Sequence, residues 1–153
     1  NKPGMDFGVY ADIQEHIISK GNAAGAGDQV GTVLYSRGVL NAAYMVEAAR
    51  TAQKIHGVSD ITPGMMGDGL ENLKINQARW TEMGFDGFTS EIDVTCENHG
   101  GPGLGAIQQW DAASGTWSLI TDFVGSDRDV VDALIAEDSS AYAAENNISK
   151  QCG

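Results

Sequence analysis

Positive charge, cysteine and long apolar runs are all scarce in this sequence. No apolar run approaches the ~20 residues that a membrane-spanning helix needs, so a helical span is not expected. The opening Asn1-Lys-Pro-Gly has no apolar core of the kind a secretory signal requires, and no initiator Met is present. These features are expected of a mature, trimmed or internal piece. Only nine Lys and Arg stand against 21 Asp and Glu, giving a net charge of −12 and an isoelectric point near 4.3. Such a field repels phosphate backbones and anionic lipid, which argues against nucleic acid and membrane surfaces as partners. The plainer reading of the same charge is solubility.

Motifs that carry chemistry are missing as well. No Gly-x-Ser-x-Gly elbow occurs. The glycine-rich stretch Gly100-Gly-Pro-Gly-Leu-Gly105 has no Lys-Ser/Thr after it and lies between strands, so it reads as a turn and not as a phosphate cradle. The histidines, His16, His56 and His99, are dispersed. Cys96-x-x-His99 with Glu97 beside it falls short of a zinc ligand set, so neither metal nor cofactor is expected. Carboxylate pairs such as Glu91/Asp93 and Asp127/Asp129 fit a solvated strand face and a helix start in a chain this acidic. Asn147-Ile-Ser149 matches a glycosylation sequon, a pattern short enough to recur by chance. No enzyme class stands out, and the chain is read as non-enzymatic.

What is present is ordinary globular composition, 42% hydrophobic and 20% charged, over 153 residues, the size of one domain. The period is helical from Phe7 to Lys20, with Gly21 as its stop. A Gly/Ala-rich loop over Gly21 to Gly31 follows, then a short β-branched segment, Val30 to Leu34, that predicts a strand. A helix is predicted from about Val39 to His56 with Leu40, Ala43, Val46, Ala49 and Gln53 on one face, closed by Gly57. Thr62-Pro63 opens a further helix through Leu73, and Asn76 caps a short one ending at Gly84. Alternation from Phe88 to Thr95 predicts a strand. Ala106–Trp110 and Thr116–Thr121 predict a hairpin around Asp111–Gly115. Asp127 to Asn146 predicts a final helix with Val130, Val131, Leu134, Ile135 and Tyr142 as its apolar face. Helices precede a compact run of strands and no complete βαβ unit can be drawn, so residues 1–153 read as a single α/β fold unit that is incomplete.

The cysteines, Cys96 and Cys152, are even in number, which suggests pairing, although two thiols also occur unpaired in cytosolic proteins. Cys152 sits in a polar tail that would otherwise fray, and a bridge closing that loop would contribute roughly 4 kcal/mol on the chain-entropy model. A disulfide would imply an oxidising compartment.

Two segments carry a resemblance. Val33-Leu-Tyr-Ser-Arg-Gly-Val-Leu-Asn-Ala-Ala-Tyr-Met-Val-Glu-Ala-Ala-Arg-Thr-Ala-Gln53 is the first. The second runs through Gly69-Leu-Glu-Asn-Leu73, Gly84-Phe-Asp-Gly-Phe88, Cys96-Glu-Asn-His-Gly-Gly, Gln108-Gln-Trp110 and the Asp127–Tyr142 helix. Their order resembles the C-terminal portion of bacterial ABC-importer solute-binding proteins of the branched-chain amino acid (Leu/Ile/Val-binding, type I periplasmic binding) family. The resemblance implies a type I periplasmic-binding α/β lobe of three layers with a late hairpin and a C-terminal helix. It implies periplasmic or otherwise extracytoplasmic binding of an amino acid or similar small carboxylate, delivered to an ABC permease by cleft closure. The alternative it allows is a ligand-sensing domain of the same fold in a regulatory or receptor protein. By position, Tyr35, Ser36 or Arg37 would face the ligand: Tyr as an aromatic wall with a polar tip, Arg as a fork for a carboxylate. The plainer reading has Tyr35 in the core and Arg37 paired with a surface acid. The Cys96–Cys152 pair also fits family members whose tail is stapled back to a strand. Bare apolar surface is expected at Val33, Leu34 and the apolar face of the helix that follows. A second copy, swapped elements, or association with the missing N-terminal part would cover it.

Overall fold

The computed structural model describes residues 6–25 and 27–149. Helix α1 (Gly8–Ile13) runs directly into a π-helical turn, Gln14–Ile18, and the chain leaves it at Gly21 in the left-handed region (φ 73°). The long helix α2 spans Val33–His56. The strand expected at Val30–Leu34 is therefore not formed, and Val33 and Leu34 belong to the first turn of α2. Thr32 explains the difference. Its hydroxyl accepts from Tyr35 N–H at 3.4 Å and its carbonyl from Ser36 N–H at 2.8 Å. A good N-cap outweighs the modest strand preference of two β-branched residues. Gly57 ends α2 as expected, at φ 65° with its N–H on the Gln53 carbonyl.

Helix α3 (Pro63–Glu71) starts at Thr62, whose hydroxyl accepts from Met65 N–H. It lies against α2 at near backbone contact: a Cβ on Gly69 would stand 2.2 Å from the Ala48 carbonyl oxygen. Only a residue without a side chain permits that approach. Strand β1 (Lys74–Ile75) follows, then α4 (Gln77–Glu82), whose cap Asn76 accepts from Arg79 N–H at 2.9 Å. Gly84 closes α4 at φ 78° and meets α1, where a Cβ would lie 2.7 Å from Val9 N; the Gly84 carbonyl accepts from Val9 N–H at 2.9 Å.

The strands are short and pair antiparallel, two by two. β1 pairs with β2 (Ile92–Asp93), so only a fraction of the strand expected from Phe88 to Thr95 enters a ladder. β3 (Leu104–Gly105) pairs with β6 (Val124–Gly125). β4 (Gln108–Asp111) and β5 (Thr116–Leu119) form the expected hairpin, with Trp110 opposite Trp117 and their rings 5.5 Å apart. The mixed α/β class stands. The described residues form three two-stranded sheets and no three-layer lobe. Helix α5 (Arg128–Glu145), capped by Asp127, closes the described chain.

One core holds the first two thirds together. Tyr10, Leu40, Leu73, Ile75, Trp80, Phe85 and Phe88 are buried in it, and Phe7, Tyr10, Phe85 and Phe88 meet largely edge to face. Trp80 is fully buried and donates its indole N–H to the Ser90 carbonyl at 3.1 Å. On α2 the buried residues are Ser36, Leu40, Ala48 and Ala52, whereas Val46, expected inward, is exposed. No residue of α5 is buried, and Val130, Leu134, Ile135 and Tyr142 all face solvent among the described residues.

Candidate functional site

The three residues singled out around the start of α2 occupy three different environments. Ser36 is fully buried and its Oγ shares a 2.5 Å hydrogen bond with the hydroxyl of Tyr10. Burial pushes the Tyr10 hydroxyl above its usual titration range, against the opposing effect of that bond. Tyr35 is half-buried, its ring tilted against Tyr10 with centroids 6.3 Å apart and its outer edge lining a groove. Arg37 is exposed and has no hydrogen-bond or ion-pair partner among the described residues. The helical turn separates these side chains, so they do not converge on one point.

Two apolar grooves flank α2. The first, about 720 Å³, runs between α1 with its π-turn and the outer side of α2, and ends at Met83 and Phe85. Tyr35, Val39, Ala42 and Val46 form its α2 wall, and Val9, Ile13 and Ile17 the opposite one. Spacings of four, three and four put these α2 residues on one stripe. The second groove, about 610 Å³, lies on the other side, between Tyr44, Leu70 and Leu73 and the Ile92–Val94 segment, with Glu71 and His99 at its edge. Burial also pushes the Tyr44 hydroxyl up.

The charged groups near these grooves are engaged with one another. Arg79 reaches from α4 to Glu47 on α2 through two parallel bonds, Nε to Oε2 at 2.9 Å and Nη2 to Oε1 at 2.7 Å, and its Nη1 stands 2.7 Å from Glu82. Arg50 adds a second cation to Glu47 at 2.9 Å. Hydrogen bonding from Arg79 holds the Glu47 carboxyl below its ordinary value, and the same pair holds Arg79 protonated. This bidentate bond ties α2 to α4, and nothing in the sequence spacing announced it. Glu71, Cys96 and His99 gather within 4.8 Å of one another, with His99 Nε2 3.7 Å from Glu71 Oε1. Cys96 is not a free thiol, which leaves this trio one carboxylate and one imidazole as ligands. Its expected partner, Cys152, lies outside the described residues.

No protein-family model and no curated protein matches the chain. A crystal structure described as an ABC transporter permease from Pseudomonas fluorescens group does. It superposes with a TM-score of 0.87 over 98% of this chain at 33% sequence identity. The chain spans 36% of the length of that solved protein. The likeness corrects the reading of this chain as the C-terminal portion of a periplasmic solute-binding protein, because the protein it matches is described as a permease. With it go the roles in capturing an amino-acid-like solute and in ligand sensing. The physical reason is general: the order of helices and hairpins specifies a scaffold, and a scaffold does not name its function. Among the described residues no helix is long and apolar enough to cross a membrane.

Proposed function

We propose that this chain is a non-catalytic component of an ABC-type transport system and acts through its contacts with other transporter parts. The observation that carries this reading is the 33% identity and TM-score of 0.87 to the permease-described protein over 98% of the chain. With no helix fit to span a bilayer among the described residues, the contribution we assign is outside the membrane. An extracytoplasmic position suits it, supported by a Cys96 that is not a free thiol and by an acidic surface kept soluble by its charge. Its partners in this reading are the membrane and ATP-hydrolysing parts of the transporter. The test is chemical cross-linking of the tagged full chain in intact cells, followed by purification from detergent-solubilised membranes and peptide mass spectrometry. Cross-links to permease or ATP-hydrolysing subunits are expected, and a chain recovered with no transporter subunit would overturn the assignment.

A further inference from the structure

At the end of α3 we infer a binding site for Zn²⁺ or a similar borderline divalent cation, formed by Glu71, Cys96 and His99 and opened by reduction of the disulfide at Cys96. Each of the three offers one ligand atom, and these atoms lie within 4.8 Å of one another. Tetrahedral zinc, with bonds of about 2.0–2.3 Å, holds its ligands roughly 3.3–3.8 Å apart. His99 Nε2 already stands 3.7 Å from Glu71 Oε1. The remaining gap is within reach of side-chain rotation.

The backbone gathers these residues without the help of an ion. Val94 N–H donates to the Leu73 carbonyl at 2.9 Å, which brings the segment leading to Cys96 against the end of α3. The turn that follows is closed on itself. Thr95 N–H donates to the Asn98 carbonyl at 3.2 Å, and Asn98 N–H to the Thr95 carbonyl and hydroxyl, both at 3.1 Å. Cys96 and His99 therefore belong to one tight turn, at the close spacing by which such turns present two zinc ligands. Glu71 and Cys96 are half-buried and His99 is exposed, so an ion can enter from solvent, drawn by the net charge of −12. Glu71 and His99 also line the groove of about 610 Å³, which gives the ion an apolar wall on one side.

Oxidation state decides occupancy. Cys96 is disulfide-bonded, so its sulfur is not a thiolate and the trio offers a carboxylate and an imidazole. A dithiol reductant supplies two electrons and two protons, the S–S bond breaks into two thiols, and the reductant leaves as its own disulfide. Metal binding then expels the proton from Cys96 Sγ. The thiolate completes three protein ligands, with the fourth position left to water. Sulfur beside imidazole and carboxylate favours zinc over magnesium or calcium.

The test titrates Co²⁺, a coloured stand-in for Zn²⁺, into the full chain, oxidised and after reduction with a phosphine. Reduced protein is expected to take up one Co²⁺ with a thiolate-to-cobalt charge-transfer band and the visible bands of tetrahedral coordination, all displaced by Zn²⁺. Oxidised protein is expected to show neither. Cys96→Ser should abolish the charge-transfer band. His99→Ala and Glu71→Gln, both at solvent-accessible positions, should weaken binding at least about tenfold, the cost of losing even a supporting partner. Circular dichroism of the same samples follows the helices. A band that survives Cys96→Ser, a band indifferent to His99→Ala and Glu71→Gln, or equal binding by the oxidised chain would each overturn the inference. So would a reduced chain that shows no band, whether or not its helices persist. The site stands apart from the transport role, and failure of the membrane cross-linking would leave it untouched.

Discussion

Ser36 illustrates how one side chain can belong to the core although its neighbours belong to the surface. Its hydroxyl and that of Tyr10 satisfy each other in a place water does not reach. Ser36→Ala would strand the tyrosine hydroxyl, and we expect a loss of about 1–3 kcal/mol in urea unfolding. Adding Tyr10→Phe should recover part of that loss, because two apolar groups in place of the pair leave nothing unsatisfied. Gly69 is bound by a stricter requirement. A methyl group there would need the space of the Ala48 carbonyl oxygen, so Gly69→Ala must push α3 off α2. The expected result is destabilisation of at least ~1–3 kcal/mol, the usual range for overpacking, seen as a lower midpoint in thermal or urea unfolding. Neither requirement is visible in sequence, since Ser36 reads as one polar residue near a helix start and Gly69 as one of 20 glycines.

Helix ends were legible because capping is local. Thr62, Asn76, Asp127, Gly57 and Gly84 each act where their residue type and neighbours predict. The same chemistry at Thr32 competes with the strand preference of the β-branched residues around it and places the start of α2 earlier than the periodicity predicts. Which face of α2 is buried was less legible, because its small residues run around much of the helix and periodicity alone does not rank them. The hairpin was legible through its turn, whose Asp111 accepts from Ala113 N–H and the Ser114 hydroxyl. The ladder between β1 and β2 was not, since each strand contributes two residues. Between elements, the Glu47–Arg79 bond makes a prediction about acid. The folded-state pKa of Glu47 is depressed, so its contribution is complete above the ordinary value of 4.5 and is lost as pH falls through the lower, folded value. Glu47→Gln should therefore flatten the decline of stability with acid below about 4.5, measured as urea midpoints across the pH range.

The whole molecule is unevenly consolidated. From α1 to β2 the elements share one core, whereas among the described residues α5 buries none of its own. An 18-residue helix that buries so little is marginal in water. We expect α5 amides in the isolated chain to exchange through local opening well before those of α2, with Asp127→Ala speeding α5 exchange further and leaving α2 untouched. A uniform exchange profile would contradict this. The candidate site belongs to this scale too. The resemblance drew attention to three adjacent residues, but the groove is an assembly of α1, α2 and the start of the chain beyond α4, distant in sequence and joined only by folding.

The tryptophans divide along the same line. Trp80 is sealed in the core and bonded to a carbonyl, while Trp110 and Trp117 lean together in the open on the hairpin. The protein thus contains two optical populations: a blue-shifted emitter shielded from collisions, and a red-shifted pair within reach of a quencher. Caesium, a cation attracted to a molecule of net charge −12, should extinguish the second and spare the first. Light from one side chain then follows the core and light from the other two follows the hairpin. A single unlabelled sample can show whether the two parts melt together.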